Sequence, residues 1–304
     1  MKMKIATTIG EVYPFVNSPA EAVRAYEGTG FRYLDYSFYT VLRDPADPFM
    51  SDSWEKNIYD AKNEAEKLGF SFVQAHAPSC ALRGEGMEKG LAATIRSIKA
   101  CGMLGIKNMV IHSGFFTEIK YPGDEEKYFH ENEPFMRALI PEAKKAGVNI
   151  LFENTTLKHC TEGCYFPVRG RDISAFVKFM NDPVFGAAWD VGHSNIDRVN
   201  QYDEIIAMGK DLKAVHIHDN DSTCDMHALP MSGNTDYDGI IKGLIDSGYD
   251  GYFTLEADCF MRYDRGAGDG KPLSHPTLNM KRAALKMLYT VTAEMLKAYN
   301  VYEE

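Results

Sequence analysis

The segment VHIHDNDSTCDMH, residues 215–227, carries three histidines and three aspartates in thirteen positions and follows a run that reads as a buried strand. Imidazole nitrogens and carboxylate oxygens at this density are donors for a divalent cation, and the same groups move protons near neutral pH. Residues of these types end other β-rich runs as well: His76 in QAHAP, His112 in VIHSG, Glu153 in LFENT, Asp190 with His193 in WDVGH, and Glu256 in TLEAD. Each alone reads as an ordinary hydrogen-bonded group near a strand end. Gathered in one place, the carboxylates would repel one another and lose hydration, and bound cations are the simplest compensation. Mixed nitrogen and oxygen donors suit zinc, manganese, iron or cobalt better than calcium, and no cysteine stands where a thiolate ligand would be needed.

Something must bring these positions together. Eight β-rich runs alternate with amphipathic helical stretches: 4–9, 33–38, 70–76, 108–113, 149–154, 186–191, 213–219 and 252–257. Such alternation is the signature of βα units and a parallel sheet. SWEKNIYDAKNEAEKLG and GLAATIRSIKACGMLG each close on the glycine expected just past a helix end, and a last helix is expected from about Thr277 to Tyr299. Eight repeats point to one closed (β/α)8 barrel, an α/β TIM barrel domain spanning residues 1–304, with its functional groups at the C-terminal strand ends. Period-two alternation then puts His216 and His218 on one inward face, with Val215 and Ile217 toward the helices. Loops 115–125, 155–171 and 259–274 are long enough to carry functional elaborations.

Composition narrows the function class. The 304 residues are 45% hydrophobic and 25% charged, and 33 basic against 43 acidic side chains give a net charge of -10. That balance weighs against nucleic acid as a partner. The start MKMKIATTIGEVYP lacks the apolar stretch of a signal peptide, and no uncharged apolar run is long enough to span a bilayer. Six cysteines without paired spacing suit reduced thiols, so a cytoplasmic enzyme is expected. HCTEGC at 159–164 reads as a loop with free thiols, since no second pair completes a zinc site.

With HAP at 76–78, IHSG at 111–114, ENT at 153–155, WDVGH at 189–193, VHIHDN at 215–220, DMH at 225–227, SGNTDYDGI at 232–240 and LEAD at 255–258, the chain resembles the xylose isomerase-like TIM barrel superfamily along nearly its whole length. That group includes sugar-phosphate isomerases and epimerases, ketose 3-epimerases, inosose dehydratases and the endonuclease IV group. In its ketose epimerase branch one metal is held by positions matching Glu153, Asp190, His216 and Glu256. The endonuclease IV branch adds positions matching His76, His112, His193, Asp225 and His227 for a trinuclear zinc cluster. All nine carry a ligand type here, so one to three ions are implied. The resemblance also implies proton transfer by Glu153 and Glu256; His193 is a candidate for the substrate, and His218, inward on its strand, for the substrate or for supporting a ligand.

Two departures bear on the choice. Ser79 and Cys80 offer no tyrosine of the kind the nucleases present near this loop, and VLRDPADPFMSDSW after strand two is acidic where a DNA-inserting loop would be basic. Against the epimerases, DNDSTCD lacks the arginine that branch usually carries after the strand-seven histidine. The expectation is a metal-dependent sugar or sugar phosphate isomerase or epimerase acting through an enediolate on a small carbohydrate. The alternatives are a metal phosphodiesterase or apurinic endonuclease, and an inosose dehydratase-like lyase. Arg169, Arg171, Arg262, Arg265 and Lys271 are candidates for a substrate phosphate or are solvated charges. Phe115, Phe116, Tyr165, Phe166, Trp189 and Phe260 stack on a sugar or pack. Barrels of this kind often associate as homo-oligomers, but no sequence patch marks the interface.

Overall fold

Short runs of valine, isoleucine, alanine and phenylalanine, buried on both faces, form parallel strands that only a ring of helices can cover. The computed structural model describes residues 2–160, 163–257, 259–262 and 273–304. Eight strands make the barrel: β1 Met3–Thr8, β2 Tyr33–Ser37, β3 Ser71–His76, β4 Asn108–Ile111, β5 Asn149–Glu153, β6 Phe185–Asp190, β7 Leu212–His216 and β8 Phe253–Leu255. Their order is β7-β6-β5-β4-β3-β2-β1-β8, each neighbour pair parallel. Between β7 and β8 the pairing narrows to the Ile217–Leu255 bridge, with Ile217 N–H donating to Thr254 O (2.8 Å) and Glu256 N–H to Ile217 O (3.0 Å). The structure is thus a near-closed α/β barrel.

The covering helices are α1 Pro19–Ala25, α2 Trp54–Leu68, α3 Met87–Leu104, α4 Glu125–Ala146, α5 Gly170–Met180, α6 Val191–Ile196, α7 Gln201–Met208, α8 Tyr237–Ser247 and α9 Leu278–Ala298. The closing glycines Gly69 and Gly105 sit at φ +76° and +78°, where a Cβ would be strained. Thr277 caps α9 from Met280 N, and Tyr299 ends it, matching the expected limits.

Three expectations need correction. Strand seven stops at His216 rather than 219, because Asp219 exchanges both backbone hydrogen bonds with Ala228 of the following loop (3.0 Å each) and leaves the barrel. The sixth βα connection holds two helices, since Asp190 caps α6 directly from the strand end. A ninth strand, β9 Tyr302–Glu303, pairs with Met3 and Lys4 of β1. Strands four and eight also end one residue short of His112 and Glu256, which therefore stand just above the barrel rim.

Candidate active site

Three carboxylates from three strand ends converge on the imidazoles between them. His216 Nδ1 lies 2.5 Å from Glu153 Oε1 and 3.3 Å from Glu256 Oε2. Glu153 Oε2 lies 2.7 Å from His112 Nε2 and 3.4 Å from His76 Nε2. His218 Nε2 stands 3.1 Å from each oxygen of Asp190. Ligand atoms of Glu153, Asp190, His216 and Glu256 lie within 4.8 Å of one another, as do those of His76, Glu153 and His216, and those of His218, Asp225 and His227. His112 and His193 fall in none of these three groups. His112 touches Glu153, and His193 Nε2 is 3.4 Å from Asp225 Oδ2.

The histidine tautomers bear on whether these donors suit a cation. His76, His193 and His227 each place Nδ1 against a backbone carbonyl, of Ala77 (2.8 Å), Asn154 (2.9 Å) and Glu256 (2.8 Å). A carbonyl only accepts, so Nδ1 carries the proton and Nε2 carries the lone pair. Those Nε2 atoms face carboxylates at 3.0–3.4 Å, His76 toward Glu153 and the other two toward Asp225. A lone pair facing a carboxylate needs a positive charge, either a second ring proton or a cation between them. No described lysine or arginine pairs with Glu153, Asp190, Asp225 or Glu256. The donor set fits a divalent ion such as zinc, manganese, cobalt or iron.

Charge within the chain already leans this way. Burial opposes the Glu153 carboxylate, but His216 and His112 outweigh it and hold the group well below the usual range. Asp190 is likewise opposed by burial yet brought down to about 2 by His193 and His218. His216, which burial alone would lower, is raised to about 10 by Glu256 and Glu153. His112 departs the other way, lowered by burial. Beneath the cluster, burial pushes Asp35 on β2 up to about 6.

Backbone geometry aims these side chains. Asp190 Oδ1 accepts His193 N–H at 2.6 Å, so one carboxylate ends β6, caps α6 and places the next imidazole. Asn154 joins the ends of β5 and β6, donating to Asp190 O (2.9 Å) and accepting Asp190 N–H (2.7 Å). Gly192 is required by close approach: a Cβ there would lie 1.8 Å from His218 Cε1. The loop after β7 folds on Asp219, which accepts from the N–H groups of Asn220 (2.9 Å), Gly233 (2.9 Å) and Thr235 (3.1 Å). It presents Asp225 and His227, the latter in the left-handed region at φ +43°. Asp219 and Asp221 thus orient the loop, Asp221 through Thr223.

Six of the cluster's residues, His76, His112, His193, Asp225, His227 and Glu256, line a cavity of about 590 Å³, whose other wall comes from the first two βα loops: Glu11, Tyr13, Tyr39 and Arg43. Sequence reading missed this wall. The ends of β1 and β2 carry Thr8 and Ser37, not ligand types, so nothing drew attention to them. Tyr39 meets His76 and His112 edge-on at 5.0 and 5.8 Å, and Tyr165 meets His112 at 5.6 Å. Arg262 lines the cavity, whereas Arg169 faces Glu204 (3.7 Å) and Arg171 is exposed beside Asp172. Arg265 and Lys271 lie outside the described residues. Phe116, Phe166 and Trp189 are buried, Trp189 donating to Gln201 (2.9 Å), Phe260 packs on the core and Phe115 is half exposed.

Solved structures share this architecture. A D-tagatose 3-epimerase-like protein aligns over 98% of both chains with a TM-score of 0.73 and 17% identity. A 3-keto-D-glucoside 4-epimerase from E. coli aligns over 95% of this chain and 100% of its own, with a TM-score of 0.68 and 19% identity. An L-ribulose 3-epimerase aligns over 98% and 95%, with a TM-score of 0.71 and 15% identity. Among curated relatives, an uncharacterised protein of Sinorhizobium fredii is 26% identical over 53% of this chain and 50% of its own length. An uncharacterised protein of Methanocaldococcus jannaschii is 23% identical over 60% and 64%. The chain therefore spans less than two thirds of either relative. The family model for the xylose isomerase-like TIM barrel matches residues 23–273, and with the near-closed barrel it shows that the chain belongs to that family.

Proposed function

We propose that this protein is a divalent-metal-dependent sugar or sugar phosphate isomerase or epimerase. The observation that carries the reading is the meeting of Glu153 and Glu256, from strands well apart in the barrel, on the single Nδ1 of the buried His216, with Glu256 itself lining the cavity. Two carboxylates reaching one small volume can take a proton from a carbon beside a carbonyl and return one to the resulting enediolate, on the opposite face of the same carbon for an epimerase or on the neighbouring carbon for an isomerase. Glu153 serves as one acid–base group and Glu256, with its side chain 22% exposed to the cavity, as the other. Glu153, Asp190, His216 and Glu256 would hold the first ion, with His76, His112, His193, Asp225 and His227 available for one or two more. When bound, a dication supplies Lewis acidity toward the carbonyl and stabilises the negative charge that develops on its oxygen. His193, which lines the cavity, orients a substrate hydroxyl, the buried His218 steadies Asp190 instead (3.1 Å), and Tyr39 and Tyr165 wall the site against water. The epimerase names of the structural neighbours support a carbohydrate as the substrate. A cytoplasmic location and a small-molecule partner belong to the same reading.

The test is solvent deuterium incorporation beside the carbonyl in a panel of ketoses and their phosphates. Exchange is expected, and Glu153→Gln or Glu256→Gln should slow it about 10²- to 10⁴-fold. A second reading, a metal phosphodiesterase, draws on the separate His218, Asp225 and His227 group, which offers room for a second ion. Cleavage of abasic-site DNA with no exchange in any sugar would replace the first reading by the second.

A further inference from the structure

Beside the reaction cavity lies a second one of about 360 Å³, and the two share Tyr13, Ser37 and Thr40 as common wall. The first is already within the roughly 300–1,000 Å³ usual for a small-molecule site. The second extends outward between the first and second βα loops to α2, and its polar groups are Asn17, Ser18, Asp44, Asp47 and Asn57, with Tyr36 and Phe49 supplying apolar surface. Among the described residues, its lining contains no lysine, arginine or histidine. A phosphate or carboxylate group would be repelled there, whereas hydroxyl donors would be welcome.

Asp44 and Asp47 each commit one oxygen to the backbone, at Ala46 N and Phe49 N (2.8 Å each). Their second oxygens have no hydrogen-bond or ionic partner among the described residues. Asn57 donates to Pro48 O at 3.3 Å, leaving its carbonyl oxygen as acceptor. Acceptors beside aromatic and apolar surface match a sugar ring, whose hydroxyl edge and carbon face make the same two demands. We infer that this side cavity is a subsite for a second, uncharged sugar ring, so that the substrate is a glycoside or disaccharide, with its reacting ring over Glu153 and Glu256. The inference rests on the sugar reading above and adds the size and charge of what lies beyond the reacting ring.

The experiment compares binding of D-glucose, D-fructose and a set of α- and β-linked disaccharides (maltose, cellobiose, lactose, sucrose) to the metal-loaded protein by ligand-observed NMR and calorimetry. At least one disaccharide is expected to bind ten-fold or more tighter than either monosaccharide. Asp47→Asn, which keeps the cap on Phe49 N, and Asn57→Leu should each remove most of that advantage while leaving monosaccharide binding unchanged. Equal affinity for one and two rings, or a disaccharide preference that both variants leave intact, would overturn the subsite and leave the isomerase reading standing. Binding of none of these sugars, with no deuterium exchange in the ketose panel, would overturn both. Tighter binding of glucose 6-phosphate than of every disaccharide, lost in Arg43→Gln but not in Asp47→Asn, would assign the extra group to an anion in the main cavity and reject the second ring.

Discussion

Asp35 and Gly192 show how single residues set the conditions around the cluster. Asp35 is buried at the barrel centre, and its pKa is raised from 3.8 to about 6. A raised carboxyl pKa means that the fold favours the neutral form. The stability that this group contributes is fully present below about pH 4 and is lost as pH rises through about 6. Two pKa units correspond to about 3 kcal/mol. In chelator, Asp35→Asn is therefore expected to raise the urea midpoint at pH 8 and leave it unchanged near pH 4; equal shifts at both pH values would remove burial as the cause. Gly192 faces His218 so closely that a methyl must displace the ring from Asp190. Gly192→Ala should cost about 1–3 kcal/mol of stability. It should also cut deuterium exchange by more than ten-fold; wild-type exchange in the variant would mean that the His218–Asp190 contact is dispensable.

Loops, more than strands, decide how much of the ligand set reaches the cavity. Asp219 gathers three backbone N–H groups and so folds the stretch that carries Asp225 and His227. An N–H group left buried without a partner costs about 1–3 kcal/mol. Asp219→Ala is expected to lower stability by at least that amount and to open the 221–234 segment to limited proteolysis. Elemental analysis should then find fewer ions per chain than in the wild type. The same metal count with a protease-resistant loop would show that the loop holds its shape by other means, such as the Asn195, Asn220 and Asn234 contacts.

A buried ion pair ties the last helix to the segment after β1. Lys281 near the start of α9 and Glu11 after β1 are both about 1% exposed and meet at 2.9 Å, while Lys281 also donates to Phe260 O at 2.8 Å. Thr7 holds the other Glu11 oxygen at 2.9 Å. Removing one member of a buried pair strands the other, at about 3–5 kcal/mol. Lys281→Met should lower the melting temperature sharply, and adding Glu11→Gln should restore most of it. If the double variant melts no higher than the single one, the lost contact to Phe260 accounts for the effect and the charge pair does not.

The barrel and the ligand types were legible along the chain because both are local patterns. Apolar runs of strand length, the glycines closing α2 and α3, and a histidine or carboxylate at six successive strand ends are each written within a few consecutive residues. The division of those residues into groups was not legible. His112 attaches to Glu153 only because β4 and β5 come side by side, and His218 joins Asp225 and His227 only because the loop after β7 folds back on Asp219. The wall from Glu11, Tyr13, Tyr39 and Arg43 was likewise hidden, since its residue types are unremarkable until closure sets them opposite the cluster. Residue identity follows the one-dimensional chain, but distance, burial and the resulting charge states depend on neighbours remote in sequence, and those exist only in the closed barrel.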